Sequence, residues 1–245
     1  MIRSLFVLCG ILSLSVASAQ QTESYLHNRT MLERMSSQGV VGNVVPLANM
    51  AGNTPGLIGD VYLQTDYRNT VFLLYDQDKV TQVYAARLDL QRNEFDIKVG
   101  AGVRSLSGGL VRSLFWKDSL TNSPQYFVNG KEYKNEEDVP YFGFFQILAE
   151  GELTMLKMSE LYFRPADRNM AHSVGSKDNK FIKNQHLYYA VGHKAVKLPN
   201  RKSVRKLFDS QAVEMEKFIK VNEIDLSQER HVIAAFEHYN ALVRK

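Results

Sequence analysis

The residue types that could carry chemistry are few in this chain, and none completes a catalytic pattern. Glu136-Glu137-Asp138 sets three carboxylates side by side. General acid–base work needs two such groups converging on one reacting atom, which sequence neighbours seldom do. Lys134, Asn135 and Pro140 around them read as a solvated loop. Asp76-Gln77-Asp78 could open a calcium loop, but Val80 stands where an oxygen ligand is required, and no glycine or closing Glu follows at the needed spacing. A charged turn is the reading. His172, His186, His193, His231 and His238 include no His-Glu-x-x-His arrangement and no helical pair four apart. A zinc site would have to be assembled from distant residues.

Ser203-Val204-Arg205-Lys206 has the Ser-x-x-Lys spacing of serine β-lactamases, yet no Ser-Asp-Asn or Lys-Thr-Gly accompanies it, and Ser203 after Pro199 reads as a helix N-cap. No Gly-x-Ser-x-Gly elbow occurs. Ser107-Gly108-Gly109 sits between apparent strands, where two glycines permit a bulge or tight turn better than a phosphate cradle. Lys197, Arg201, Lys202, Arg205 and Lys206 form a basic cluster that could meet an anionic partner or could be a solvated helix face. Asn28-Arg29-Thr30 is a formal glycosylation sequon. No catalytic, cofactor-binding or metal-binding residue is predicted, and no cofactor; the basic cluster is the one candidate contact surface.

The N-terminus explains where such a protein would work. Arg3 is the only charged side chain before a mainly apolar run from Leu5 to Val16, followed by Ala17-Ser18-Ala19 and polar Gln20. That is the layout of a cleavable secretory signal peptide, cut after Ala19. The apolar run is too short to span about 30 Å of hydrocarbon, so no integral span is expected after cleavage. Cys9, the only cysteine of the 245 residues, leaves with the signal. Disulfides and thiolate metal sites are then excluded, and stability must come from a packed core. The net charge of +4 is too small and dispersed to argue for nucleic acid.

Four segments follow: residues 1–19 as signal peptide, 20–58 as an extended polar lead-in with a short helix near Thr30 to Ser37, 59–199 as an antiparallel β domain, and 200–245 as C-terminal helices packed on the sheet. The β reading rests on short runs of Val, Ile, Phe and Tyr between turn residues. Phe95, Ile97 and Val99 alternate with Glu94, Asp96 and Lys98, which predicts one buried and one wetted face. Ala86 to Leu90 pairs with this strand through Gln91-Arg92-Asn93.

A second hairpin is expected from Val61 to Asp66 with Thr70 to Tyr75, turning at Tyr67-Arg68-Asn69 and again at Asp76-Gln77-Asp78. Further strands are expected near Leu110 to Trp116, Gln125 to Val128, Tyr141 to Glu150, Glu152 to Phe163 and His186 to Val191, with a return through Lys194 to Leu198. Tyr141 to Leu148 is apolar on both faces and should be central. Residues 165–185 read as a long loop. After Pro199 the period becomes helical: Ala212, Met215, Phe218 and Ile219 form one stripe, and Val232, Ala235, Phe236, Tyr239 and Val243 another, with Ser227 as N-cap. The expected class is mainly β (α+β): a curved antiparallel sheet, half-barrel or sandwich-like, followed by two or three C-terminal α-helices.

Several stretches resemble a broad group of uncharacterised secreted bacterial β-rich proteins with a helical tail: Ala86-Arg87-Leu88-Asp89-Leu90 through Phe95, Phe144-Phe145-Gln146-Ile147-Leu148 with Gly151 and Leu156-Lys157, Asn169 with Val174-Gly175-Ser176-Lys177, and, in the tail, Lys206-Leu207-Phe208, Phe218-Ile219-Lys220, Asp225-Leu226 and Tyr239-Asn240. The resemblance implies an envelope location and this architecture, and an ordered 165–185 segment; it carries over no catalytic residue.

Three functions stand open. The first is a non-enzymatic secreted or envelope module that binds a protein, lipid or glycan on an aromatic surface, for which 12 tyrosines and 13 phenylalanines provide material. The second is a periplasmic lipid or lipoprotein carrier with an apolar cavity. The third is a hydrolase whose site is assembled from distant residues.

Overall fold

The computed structural model describes residues 45–46, 57–117, 123–167, 176–198 and 201–244. The signal segment, the sequon, the expected helix near Thr30 to Ser37 and His172 lie outside them. The described chain forms β1 (Val45–Pro46), β2 (Leu57–Ile58), β3 (Arg68–Leu74), β4 (Tyr84–Asp89), β5 (Glu94–Val99), β6 (Gly102–Ser107), β7 (Val111–Lys117), β8 (Pro124–Asn129), β9 (Phe144–Ala149), β10 (Thr154–Arg164), β11 (Asn179–Val191) and β12 (Lys194–Lys197). A helical turn, Arg201–Val204, runs into a 3-10 stretch, Arg205–Gln211, and then α1 (Ala212–Val221) and α2 (Glu229–Val243).

Eleven strands make one open sheet in the order β1-β6-β5-β4-β3-β7-β8-β9-β10-β11-β12, and β2 adds itself parallel to β11. All other ladders are antiparallel. The order forces the sheet to curl. Only Gly108–Leu110 separate β6 from β7, although β5, β4 and β3 lie between them. Four strand spacings in a flat sheet are about 19 Å, whereas the four residue steps from Ser107 to Val111 reach at most about 14 Å. The inside of this curl is filled by Phe72, Leu88, Phe95, Leu114, Trp116, Phe127 and Phe144, with edge-to-face pairs such as Phe72–Phe95 at 4.9 Å and Trp116–Phe127 at 4.6 Å.

The β4–β5 hairpin forms as its alternation predicts, because Asp89 builds the turn. Its carboxylate accepts the Gln91 and Arg92 backbone N–H groups, both at 2.9 Å. Asn93 takes the left-handed conformation, φ +53°, which Asn tolerates better than most residues. Asp96 departs from the expected wetted face and is buried, because the segment before β3 covers it. That segment, Val61 to Asp66, is a second correction: it is a run of bends rather than a hairpin strand, tied to the end of β4 by Leu63 N–H to Leu88 C=O and Leu90 N–H to Val61 C=O. The partners of β3 are β4 and β7. Two short strands, β1 and β2, also fall in the stretch read as an extended lead-in.

The loop expected over 165–185 is shorter, since β11 begins at Asn179 and pairs with β10 from Thr154↔Ala190 out to Arg164↔Lys180. The polar residues of that stretch hid a strand because they belong to an arm with little core beneath it. β9 covers β10 only as far as Met158, and β12 covers β11 only from Tyr188. Beyond Met158, β10 has β11 as its one ladder partner, and β11 is flanked on its other side only at its very end, where the two residues of β2 pair with Asn179 and Lys180; Tyr162, Phe163 and Ile182 are exposed. Two-stranded ribbons are marginal in water. Amides of residues 160–164 should therefore exchange with deuterium orders of magnitude faster than those of Met155 to Met158; equal protection along β10 would refute the difference.

β9 is central, as its two apolar faces predict: Phe144 joins the core inside the curl and Phe145 a cluster with Leu156, Met158 and Tyr188 on the other face. Two α-helices, within the expected two or three, close the chain after the short helical turn. Met215 and Ile219 of α1 and Val232, Ala235, Phe236 and Tyr239 of α2 pack with Phe208 onto Ala149, Leu153 and Met155 of the sheet. Neither expected serine cap forms. Ser203 lies inside the helical turn, and Ser227 donates to Asp225 while Gln228 takes the capping position.

Candidate functional site

A pocket of about 200 Å³ opens where four turns meet. Two of them share one design. At the end of β6, the Ser107 side chain accepts from Gly109 N–H, and Val111 N–H bonds back to Gly108 C=O. At the end of β8, the Asn129 side chain accepts from Lys131 N–H, and Tyr133 N–H bonds back to Gly130 C=O. The cap residues have matching backbones, φ −62° and ψ 130° at Ser107, φ −61° and ψ 136° at Asn129. The signal for this pair was present as Ser-Gly and Asn-Gly at strand ends, but only the first was singled out.

Each glycine of the pair is seated against a backbone carbonyl. A Cβ on Gly108 would stand 2.5 Å from Asn93 O, and one on Gly130 2.7 Å from Tyr141 O. Any side chain at either place forces main chain apart, so these contacts set the spacing of the pocket walls. Asn129, only 2% exposed, locks the two turns together: its Nδ2 donates to Gly108 C=O at 2.9 Å and to Val111 C=O at 2.8 Å.

The walls are Arg92 and Asn93, Ser107 and Gly109, Asn129 and Lys131, and Tyr141 to Gly143. Arg92 is held by Asp89 at 2.8 Å, Asp96 at 3.4 Å and Glu94 at 3.5 Å. Its charge is compensated before any ligand arrives. Lys131 has no carboxylate partner among the described residues. Phe142 stands 73% exposed at the rim, just before Gly143 with φ +88°. Neither histidine nor carboxylate lines the pocket; the Tyr141 hydroxyl in its wall donates to Ala195 C=O at 2.9 Å, and Ser107 accepts from Gly109 N–H in its own turn. This arrangement can bind and orient, with polar groups at fixed positions beside one exposed ring.

Behind the Arg92 wall a clamp holds the bends before β3. The Arg87 guanidinium lies 3.6 Å from the Tyr62 ring centroid and 4.6 Å from that of Tyr67, and pairs with Asp96 at 3.1 Å. Tyr62 donates its hydroxyl to Asp96 at 2.8 Å. Burial first, then that carboxylate, pushes the Tyr62 phenol up to about 12. The same strap reaches the arm, where Asp60 pairs with Lys183 at 2.9 Å. Burial alone would raise the Asp60 carboxyl, but the Lys183 contact and the Tyr62 N–H outweigh it and hold it below the ordinary 3.8. A lowered folded value means stability present above pH 3.8 and lost as pH falls through the folded value. Protection of the Tyr62 amide relative to its intrinsic exchange rate should fall in that window, and Asp60→Asn should remove that loss of protection; an unchanged protection profile in the variant would overturn the assignment.

The residues singled out by sequence are dispersed. Glu136 to Asp138 form an exposed turn, with Asp138 paired to Lys134 at 2.9 Å and Asn135 capping Glu137 and Val139. Asp76 to Asp78 form a 3-10 turn, and Asp78 pairs with Arg112 at 2.8 Å. His186 lies 3.7 Å from Glu160, His193 meets the Glu132 carbonyl, His231 accepts from Asp225 N–H, and His238 stacks on Phe218. No group of three or more metal-ligating side chains forms among the described residues. Of the basic cluster, Lys197 ends β12, Lys206 is exposed, and Arg205 pairs with Glu216 at 3.1 Å; Arg201 and Lys202 begin the helical turn.

No helix among the described residues is long and apolar enough to cross a membrane. Comparison with family models, with curated proteins and with solved structures finds no match for this chain.

Proposed function

We propose that this chain is a secreted or cell-envelope binding module, not an enzyme, and that its ligand sits in the pocket between the two matched turns. One observation carries the reading: four turns are locked by glycine–carbonyl contacts and by Asn129 around a polar space lined by neither histidine nor carboxylate. Building such a pocket restricts side-chain choice at Gly108 and Gly130, and preorganised walls are what binding needs. In this reading the curled sheet is a half-barrel with the pocket on its rim, and the N-terminal segment is the export signal. In the same reading the basic cluster of Lys197, Arg201, Lys202, Arg205 and Lys206 is a second contact surface for an anionic partner.

The test uses purified mature protein mixed with isolated cell envelope. Saturable retention that falls about tenfold, or about 1.4 kcal/mol, in a Lys131→Ala/Phe142→Ala double variant supports the reading. Retention equal to that of the unmodified protein would sink it. Both side chains are exposed, so the variant should fold normally, which a thermal melt checks. Mass spectrometry of the exported protein should find Gln20 at its N-terminus.

A further inference from the structure

Resting on that reading, we infer that the pocket takes a single carboxylated sugar unit, of the uronic-acid type, from an envelope or extracellular polysaccharide. Three features converge on that chemistry. The volume of about 200 Å³ lies below the roughly 300 Å³ at which pockets for drug-sized ligands begin, which suits one sugar ring inside the pocket. The exposed Phe142 ring offers an apolar platform of the kind that the C–H face of a sugar covers, while the amide of Asn93, also in the lining, is the type of group that meets hydroxyls.

Charge selects among sugars. Arg92 is already matched by three carboxylates, which leaves the Lys131 ammonium as the lining cation with no anionic partner among the described residues. One ammonium complements one carboxylate. A phosphate dianion is normally met by several donors, and a neutral sugar would leave Lys131 unused. The ligand that satisfies ring, hydroxyl and charge together is a sugar acid.

The mature protein is titrated with glucuronate, with glucose and with acetate, following amide shifts by NMR. Glucuronate should saturate in the millimolar range and bind at least about tenfold more tightly than either control. Lys131→Ala and Phe142→Ala should each weaken it about fivefold or more, with Lys131→Arg restoring most of the loss. No saturation by about 50 mM glucuronate, a concentration well above millimolar affinity, overturns the inference; so does acetate binding as well as glucuronate, which would leave an anion site only. If glucuronate fails while the double variant still loses envelope retention, the sugar assignment falls and the binding-module reading stands. If retention is also unchanged, both fall.

Discussion

Replacing Asn129 by alanine should lower the unfolding free energy by about 3 kcal/mol and collapse the pocket. The side chain makes three hydrogen bonds at 2.8 to 3.0 Å, two from its amide to the Gly108 and Val111 carbonyls and one from Lys131 N–H to its oxygen. Gly108 and Val111 are buried, so water does not easily replace the lost donors, and an unsatisfied buried polar group costs about 1–3 kcal/mol. Asn129→Asp separates the two roles. It keeps the oxygen that caps Lys131 but faces both carbonyls with a carboxylate, so it should be at least as destabilised as the alanine variant at neutral pH. Urea titration at constant slope is the measurement; a loss below about 1 kcal/mol for Asn129→Ala would mean the two turns hold their places without it.

Asn240→Ala should cost a similar amount, about 3 kcal/mol, where the last helix packs on the sheet. Asn240 projects from α2 into the β9–β10 turn, where it accepts from Leu153 N–H at 3.0 Å and donates to Leu153 C=O at 2.9 Å. Leu153 is 4% exposed, so truncation orphans both its backbone groups. Gly151 in the same turn has no room for a Cβ against the Asn240 amide. Gly151→Ala should therefore displace Asn240 and destabilise by a comparable amount. Because both changes break one contact, the double variant should lose clearly less than the sum; strict additivity would contradict the shared mechanism.

These two asparagines show where reading the chain succeeds and where it stops. The β4–β5 hairpin was legible because alternation and turn chemistry are local, and each choice from Ala86 to Val99 agrees with its neighbours. The helical stripes of α1 and α2 were legible for the same reason. Val61 to Asp66 misled because its apolar spacing suits a strand, while its conformation follows from distant partners, Asp96 and Lys183. The arm misled in the other direction: Ile182 to Gln185 stand exposed, yet Asn179 to Gln185 is strand because β10 lies beside it and β2 pairs with its first two residues.

The amino-acid pattern alone sufficed for the class of fold, the location of most strands, the apolar faces of the tail and the lack of any catalytic motif, since these depend on periodicity and residue type over short spans. Tertiary structure alone decided which turns the curl brings together, that Asp96 is buried, that Gly108 and Gly130 abut carbonyls from other turns, and that Arg92, Lys131 and Phe142 share one pocket. Those facts depend on contacts between residues tens of positions apart, which leave no periodic trace in a single sequence.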